Sequence, residues 1–302
     1  MFDIIGKRFW FFAVSGIVIL IGIISLLTAG LPSGIEFSSG DMLTVQFQQP
    51  VDYDEFKEEV SNLGFNDAII QSAGENQFLI RTRVLTDTEK ELITSSLSAR
   101  FGEQAEEAQF IEVSPQVASE TVRNAAIAVA IAAIGILVYV TWAFRRMPRP
   151  IHYGTCAIVA LVHDALIAMG VFSILGAILN WEINIMFITG LLAVIGYSVN
   201  NTVVIFDRIR ENLTRGTGDT FESTVNHSLV ETVSRSVNTS LTTLIVVLAL
   251  FLFVGATIQN FVVVLIIGII AGTFSSVCIA PSLLVVWDRK EWGRFLPWRR
   301  AS

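Results

Sequence analysis

The sequence predicts an α-helical polytopic membrane protein with one small α+β, ferredoxin-like domain outside the bilayer, and three observations carry that reading. Of 302 residues, 53% are hydrophobic and only 16% charged, with a mean hydropathy of +0.63, too apolar for a soluble domain. Six apolar stretches each approach or exceed the roughly 20 helical residues needed to cross a hydrocarbon core of about 30 Å. Between the first two, residues 31–123 are polar and carry seventeen Asp/Glu against six Lys/Arg. The net charge of −7 argues against a nucleic-acid binder, because affinity for phosphate backbones comes from clustered Lys and Arg. Cys156 and Cys278 lie in apolar runs and read as small buried hydrophobes, giving neither a disulfide nor a zinc site.

The first span is expected from Phe9 to Ala29, behind Lys7 and Arg8. It is longer than a signal-peptide core, and Gly30, Leu31 and Pro32 make a poor cleavage site, so it is read as retained. Next comes the external insert. Leu43, Val45 and Phe47 alternate with polar residues as in a half-buried strand, and Phe56, Val60 and Leu63 follow at helical spacing. Short strands at Ala68–Ile70 and Phe78–Val84, a helix presenting Ile93, Leu97 and Phe101, and a last strand at Phe110–Val113 complete the order β-α-β-β-α-β, the ferredoxin-like unit.

Further spans are expected at Asn124–Phe144, Ile151–Leu179, Ile183–Phe206, Val237–Val254 and Phe261–Trp287. The organisation is thus residues 1–30 for the first span, 31–123 for the external domain, 124–288 for spans two to six and 289–302 for a basic tail. Lys and Arg concentrate in the N-terminus, the Arg145–Arg149 turn, the 207–235 loop and the tail, where Arg299 and Arg300 lie, while the turns at Asn180–Glu182 and Gly255–Asn260 have none. The positive-inside rule therefore places both termini in the cytoplasm. Phe221, Val225, Leu229 and Val233 recur every four residues within the loop, which fits an amphipathic helix on the membrane face or a helix packed on the bundle's edge.

Ionisable side chains inside spans are costly, about 2.5–3.5 kcal/mol each on insertion scales, and so are functional candidates. His163 and Asp164 lie near the middle of span three, where Asp164 fits a proton role or an interhelical polar contact. Asn200 and Asn201 put two amides in span four, followed by Asp207, Arg208 and Arg210 at its end, where the two arginines also fit interfacial anchors. Gly268 and Gly272 in span six have the Gly-x-x-x-Gly spacing that lets helices approach closely.

The run Gly196-Tyr197-Ser198-Val199-Asn200-Asn201-Thr202-Val203-Val204-Ile205-Phe206-Asp207-Arg208-Ile209-Arg210-Glu211-Asn212 resembles the signature of the SecF branch of the SecD/SecF family. Gly34-Ile35-Glu36-Phe37-Ser38-Ser39-Gly40, Val162-His163-Asp164 and Ser234-Arg235-Ser236-Val237-Asn238-Thr239-Ser240 resemble further family motifs in matching order. The resemblance implies one half of an RND-like twelve-helix bundle completed by SecD, an accessory of the SecYEG channel that uses the proton-motive force to help preproteins leave the bacterial inner membrane. Its partners would be SecD, the channel, preproteins, protons and membrane lipid, with no cofactor and no metal.

The family's proton-responsive Asp corresponds to Asn201, an amide that cannot titrate, so the resemblance turns attention to Asp164 or to a carboxylate supplied by SecD. The family's functional arginine corresponds to Arg235, which either faces such a carboxylate or anchors the loop inside. The alternatives are a passive subunit that stabilises SecD and the channel, or a half-size small-molecule exporter. Enzymatic catalysis is not expected, since no nucleophile–base pair or phosphate-cradling loop occurs.

Overall fold

The computed structural model describes residues 3–74, 76–102, 109–179, 181–253 and 255–295. Among them, six helices are long and apolar enough to cross a membrane. They are α1 (Arg8–Thr28, entered through a short 3-10 turn at Ile5–Lys7), α5 (Pro115–Ala143), α6 (Pro150–Leu179), α7 (Ile185–Arg215), α8 (Phe221–Phe253) and the continuous run α9 (Ala256–Phe274), a π segment (Ser275–Ile279) and α10 (Ala280–Asp288). Helices α6, α7 and α9–α10 form the buried centre, while α1, α5 and α8 keep most of their side chains on the outside.

Three helices exceed their apolar runs because backbone hydrogen bonding does not need apolar side chains. Helix α7 continues through residues 207–215, supported by the ion pairs Arg210–Asp207 (2.5 Å) and Arg215–Glu211 (2.6 Å), and stops at Gly216, whose φ of 69° suits glycine. The expected 207–235 loop is therefore only residues 216–220. The expected membrane-surface helix is the opening of α8, with Val225 and Leu229 fully buried in the bundle core, so the edge-packing alternative holds. Likewise α5 begins at Pro115, capped by Ser114, with a proline that costs no hydrogen bond in the first turn. The last strand thus ends at Val113, and residues 115–123 are the opening turns of α5. The expected Gly255–Asn260 turn is mostly the first turn of α9. Asn180 and the tail from residue 296, with Arg299 and Arg300, lie outside the described residues.

After α1, a single helical turn, α2 (Ile35–Ser38), leads into β1 (Gly40–Gln46), α3 (Tyr53–Asn62), β2 (Ile69–Gly74), β3 (Gln77–Thr82), α4 (Asp87–Phe101) and β4 (Gln109–Val113). The sheet order is β2-β3-β1-β4 with every pair antiparallel, the ferredoxin-like arrangement. Leu43, Val45 and Phe47 point into a core with Phe56, Val60, Ile80, Ile93 and Leu97, as the alternation requires; Leu63 instead caps α3 and is only half-buried. Helix α4 starts with a full capping box between Thr86 and Glu89.

The domain is tied to the bundle beside α2. Gly34 N–H donates to Ile183 O (2.7 Å), Ile183 N–H donates to Pro32 O (2.8 Å), and Arg81 of β3 pairs with Glu182 in the α6–α7 turn. A side chain at Gly34 would meet the Ile183 carbonyl at 3.0 Å, so that backbone-to-backbone approach needs glycine.

Candidate functional site

The centre of the bundle holds a polar network at mid-membrane depth. Asp164 lies about 21 Å along α6 from Pro150, at 1.5 Å per residue, and is 2% exposed. Its Oδ2 accepts hydrogen bonds from Ser198 Oγ of α7 (2.6 Å) and Ser275 Oγ of the π segment (2.9 Å). His163 Nδ1 lies 2.9 Å from Asp164 Oδ1, and the ring stacks on Phe274. The buried His163 Nε2 has no hydrogen-bond partner among the described residues.

Consecutive serines of the π segment reach different helices: Ser275 meets Asp164 on α6 while Ser276 Oγ donates to Ser198 O (3.1 Å) and lies 3.0 Å from Thr202 Oγ1 on α7. The α7–α9 contact depends on the expected glycines. A Cβ at Gly272 would come within 2.9 Å of Ser198 Cβ, and one at Gly268 would overlap Val194. A second close pair, Gly22 on α1 against Gly170 on α6, gave no sequence signal, because neither glycine has another glycine at one-turn spacing in its own helix.

Asn201 is buried, and its Nδ2 donates to Ser240 Oγ of α8 at 3.4 Å; Tyr197 OH (3.0 Å) and Thr273 Oγ1 (2.6 Å) meet the same serine. The two adjacent amides do not act together. Successive helical residues point about 100° apart, so Asn200 is exposed where Asn201 is buried, and Asn200 gains no interhelical bond within the described residues. Gly196 and Asp207 are also exposed.

Arg208 does more than anchor: it holds Glu231 of α8 (2.7 Å) and Glu211 (2.5 Å), and Asn212 Nδ2 donates to the same Glu231 (2.7 Å), stapling the ends of α7 and α8. Arg210 is exposed and paired with Asp207. Arg235 is exposed on α8 and makes no ion pair with Asp164, whose oxygens are occupied by hydroxyls and the imidazole. The structure therefore brings together Asp164 and Ser198 in one cluster and Asn201 and Tyr197, on Ser240, in a second. It leaves Asn200 and Arg235 on the outer surface.

Chemically, Asp164 is the one carboxylate buried within the spans among the described residues, and its near neighbours are neutral hydroxyls and a single imidazole. A proton here can rest on the carboxyl or on His163 Nδ1, with both serine hydroxyls free to reorient between donating and accepting. The network of Ser198, Ser275, Ser276 and Thr202 was not anticipated from the sequence, since hydroxyls in apolar helices are common and only their meeting marks them.

The family model described as Protein export membrane protein SecD/SecF, C-terminal, matches residues 93–290. The chain is 41% identical to Protein translocase subunit SecF of Thermobaculum terrenum, over 97% of this chain and 96% of that protein. It is 35% identical to Protein translocase subunit SecDF of Bacillus subtilis, over 96% of this chain and 38% of that protein. Among solved structures, the crystal structure of SecDF, a translocon-associated membrane protein from Thermus thermophilus, superposes with a TM-score of 0.83 at 31% identity. This chain is covered over 95% of its length and spans 39% of that solved chain.

Proposed function

Because this chain belongs to the SecD/SecF family of protein-export membrane proteins, we propose that it couples the proton-motive force to the late stage of preprotein export. It is an accessory subunit of protein export that works with SecD, and it is a multi-pass membrane protein. The observation carrying the coupling is Asp164: a carboxylate held at mid-membrane by reorientable hydroxyls, with no Lys or Arg paired to it among the described residues. We propose that the SecYEG channel and preproteins are its working partners, that no catalytic chemistry is involved, and that SecD corresponds to the part of the longer SecDF chains that this one does not match.

The exposed Arg235, Asn238 and Thr242 on α8, with Asn200 on α7, support a partner-facing surface. Polar groups turned outward in hydrocarbon are unfavourable, whereas against a second helical half they find partners. Arg235 then meets a carboxylate of SecD. Arg235→Ala is expected to lower gradient-dependent export while co-purification with SecD persists. Undiminished export would make this residue a topological anchor only.

One observation favours a passive subunit: Asn201 is a non-titrating amide already hydrogen-bonded to Ser240. The two readings separate in vesicles holding this chain, SecD and the channel, by timing preprotein release with and without a proton gradient. Gradient-accelerated release is expected, and Asn201→Asp is expected to raise it or shift its pH profile. Equal release with and without the gradient, in both proteins, would establish the passive role.

The orientation is proposed from the same charge asymmetry, with both termini and residues 216–220 in the cytoplasm of a bacterial inner membrane. In a background lacking Cys156 and Cys278, single cysteines at Ser95 on α4 and Thr217 in the α7–α8 loop should label from opposite faces. An impermeant reagent added outside that modified both would overturn this topology.

A further inference from the structure

Where α5 ends, residues Trp142, Ala143, Arg145, Arg146 and Met147 enclose a cleft of about 800 Å³ with Arg210 and Thr214 of α7. Among the described residues its lining carries three guanidinium groups, and the carboxylate of Asp207 lies beside it, paired with Arg210. The Arg145 guanidinium stacks 4.4 Å above the Trp142 ring and donates to Trp142 O (3.2 Å). Arg210 enters from the side, paired with Asp207 at 2.5 Å, and Thr214 Oγ1 donates to Arg210 O (2.9 Å). No carboxylate lies within ion-pair distance of Arg145 or Arg146 among the described residues.

Above the cleft, the outer face of α5 is an apolar track. Ile131, Ile134, Val138 and Trp142 follow at intervals of three and four residues and are 65%, 62%, 62% and 60% exposed. From Ile131 to Trp142 the helix rises about 16 Å, close to one leaflet of a hydrocarbon core of roughly 30 Å. A cationic cleft, an aromatic ring at its rim and an acyl-length apolar track are therefore stacked in the order of a phospholipid. Tyr139, also exposed, adds a second amphipathic ring at this level.

We propose that this cleft binds the phosphate of an anionic phospholipid, with Arg145 and Arg146 as its principal ligands, Arg210 as a third donor, and the acyl chains lying along α5. The proposal rests on the six-span reading of the chain but not on proton coupling, so the two fail separately. The adjoining cleft of about 460 Å³ shares Arg146, Met147 and Thr214 with this one, but its own lining adds Asp288, which has no ion-pair partner among the described residues and so disfavours an anion there.

The test uses the full-length chain, delipidated in neutral detergent, with native mass spectrometry reading bound phosphatidylglycerol or phosphatidylcholine. Phosphatidylglycerol is expected to be retained preferentially, and inorganic phosphate at millimolar concentration should not displace it. The triple variant Arg145→Gln, Arg146→Gln, Arg210→Gln should lose about a hundredfold in phosphatidylglycerol affinity, from the roughly fivefold that each basic group near an anionic headgroup contributes. Its phosphatidylcholine binding should not change.

A charge-matched variant, Lys7→Gln, Arg215→Gln, Lys290→Gln, removes three cations elsewhere and should keep the preference. Equal loss in both triples would overturn a defined site in favour of general attraction. Full displacement by inorganic phosphate would overturn the lipid as occupant. Should the triple variant misfold, Trp142→Ala with all arginines retained is expected to weaken phosphatidylglycerol retention, and unaltered retention would overturn the proposal.

Discussion

Replacing Asp164 with Asn is expected to remove the gradient-dependent part of preprotein release entirely while leaving the gradient-independent part and assembly with SecD intact. Asparagine has nearly the shape of aspartate, and the Ser198 and Ser275 hydroxyls can turn to accept from its amide or donate to its carbonyl. Packing at a position 2% exposed is therefore preserved, and the change is confined to the ability to gain and lose a proton. Asp164→Glu restores a carboxylate on a longer arm and should recover part of the gradient response with a displaced pH profile. Were the carboxylate only an interhelical contact, the amide would serve as well, and vesicles carrying Asp164→Asn would release preprotein at the parental gradient-dependent rate. That result would leave the proton to SecD.

Phe47→Asp is expected to unfold the external domain. Phe47 is 2% exposed, and its ring meets Phe56 edge-on at 5.9 Å, Phe101 at 5.7 Å and Phe78 at 6.3 Å, so it is the hub of the aromatic core between the sheet and the two helices. Removing a buried Phe costs about 3–5 kcal/mol through the lost burial and the cavity, and an unpaired carboxylate in its place adds a desolvation cost of several kcal/mol. A domain of this size has only about 0.05–0.15 kcal/mol per residue in hand. In the full-length chain the six spans should remain, because they share none of this core, while β1 to β4 become cleavable by protease under conditions where the parent resists. Parental protease resistance would mean that Phe47 does not face the core.

Hydropathy and alternation are local properties, and the features that depend on them are legible in the order of residues. The six spans follow from apolar run length, and the β-α-β-β-α-β order follows from the switch between periods of two and 3.6 residues, with Leu43, Val45 and Phe47 facing inward. The Gly268–Gly272 contact is also legible, because close approach needs small residues at one-turn spacing. The polar ends of α7 and α8 read as loop because their charges end the apolar signal, although ion pairs along the helix sustain the backbone just as well.

The sequence alone determined the membrane class, the small external domain, and Asp164, Asn200, Asn201 and Arg235 as the polar points worth attention. Only the tertiary structure decided which partners they have. Two adjacent amides are alike in hydropathy, and packing put Asn201 on the buried stripe of α7 with Ser198 and Ile205 while Asn200 faces outward. Packing also joined Asp164 to hydroxyls 34 and 111 residues away, and turned Arg235 to the outer surface. Serine and glycine have almost no hydropathic signal of their own, and their roles here exist only where two or three helices meet.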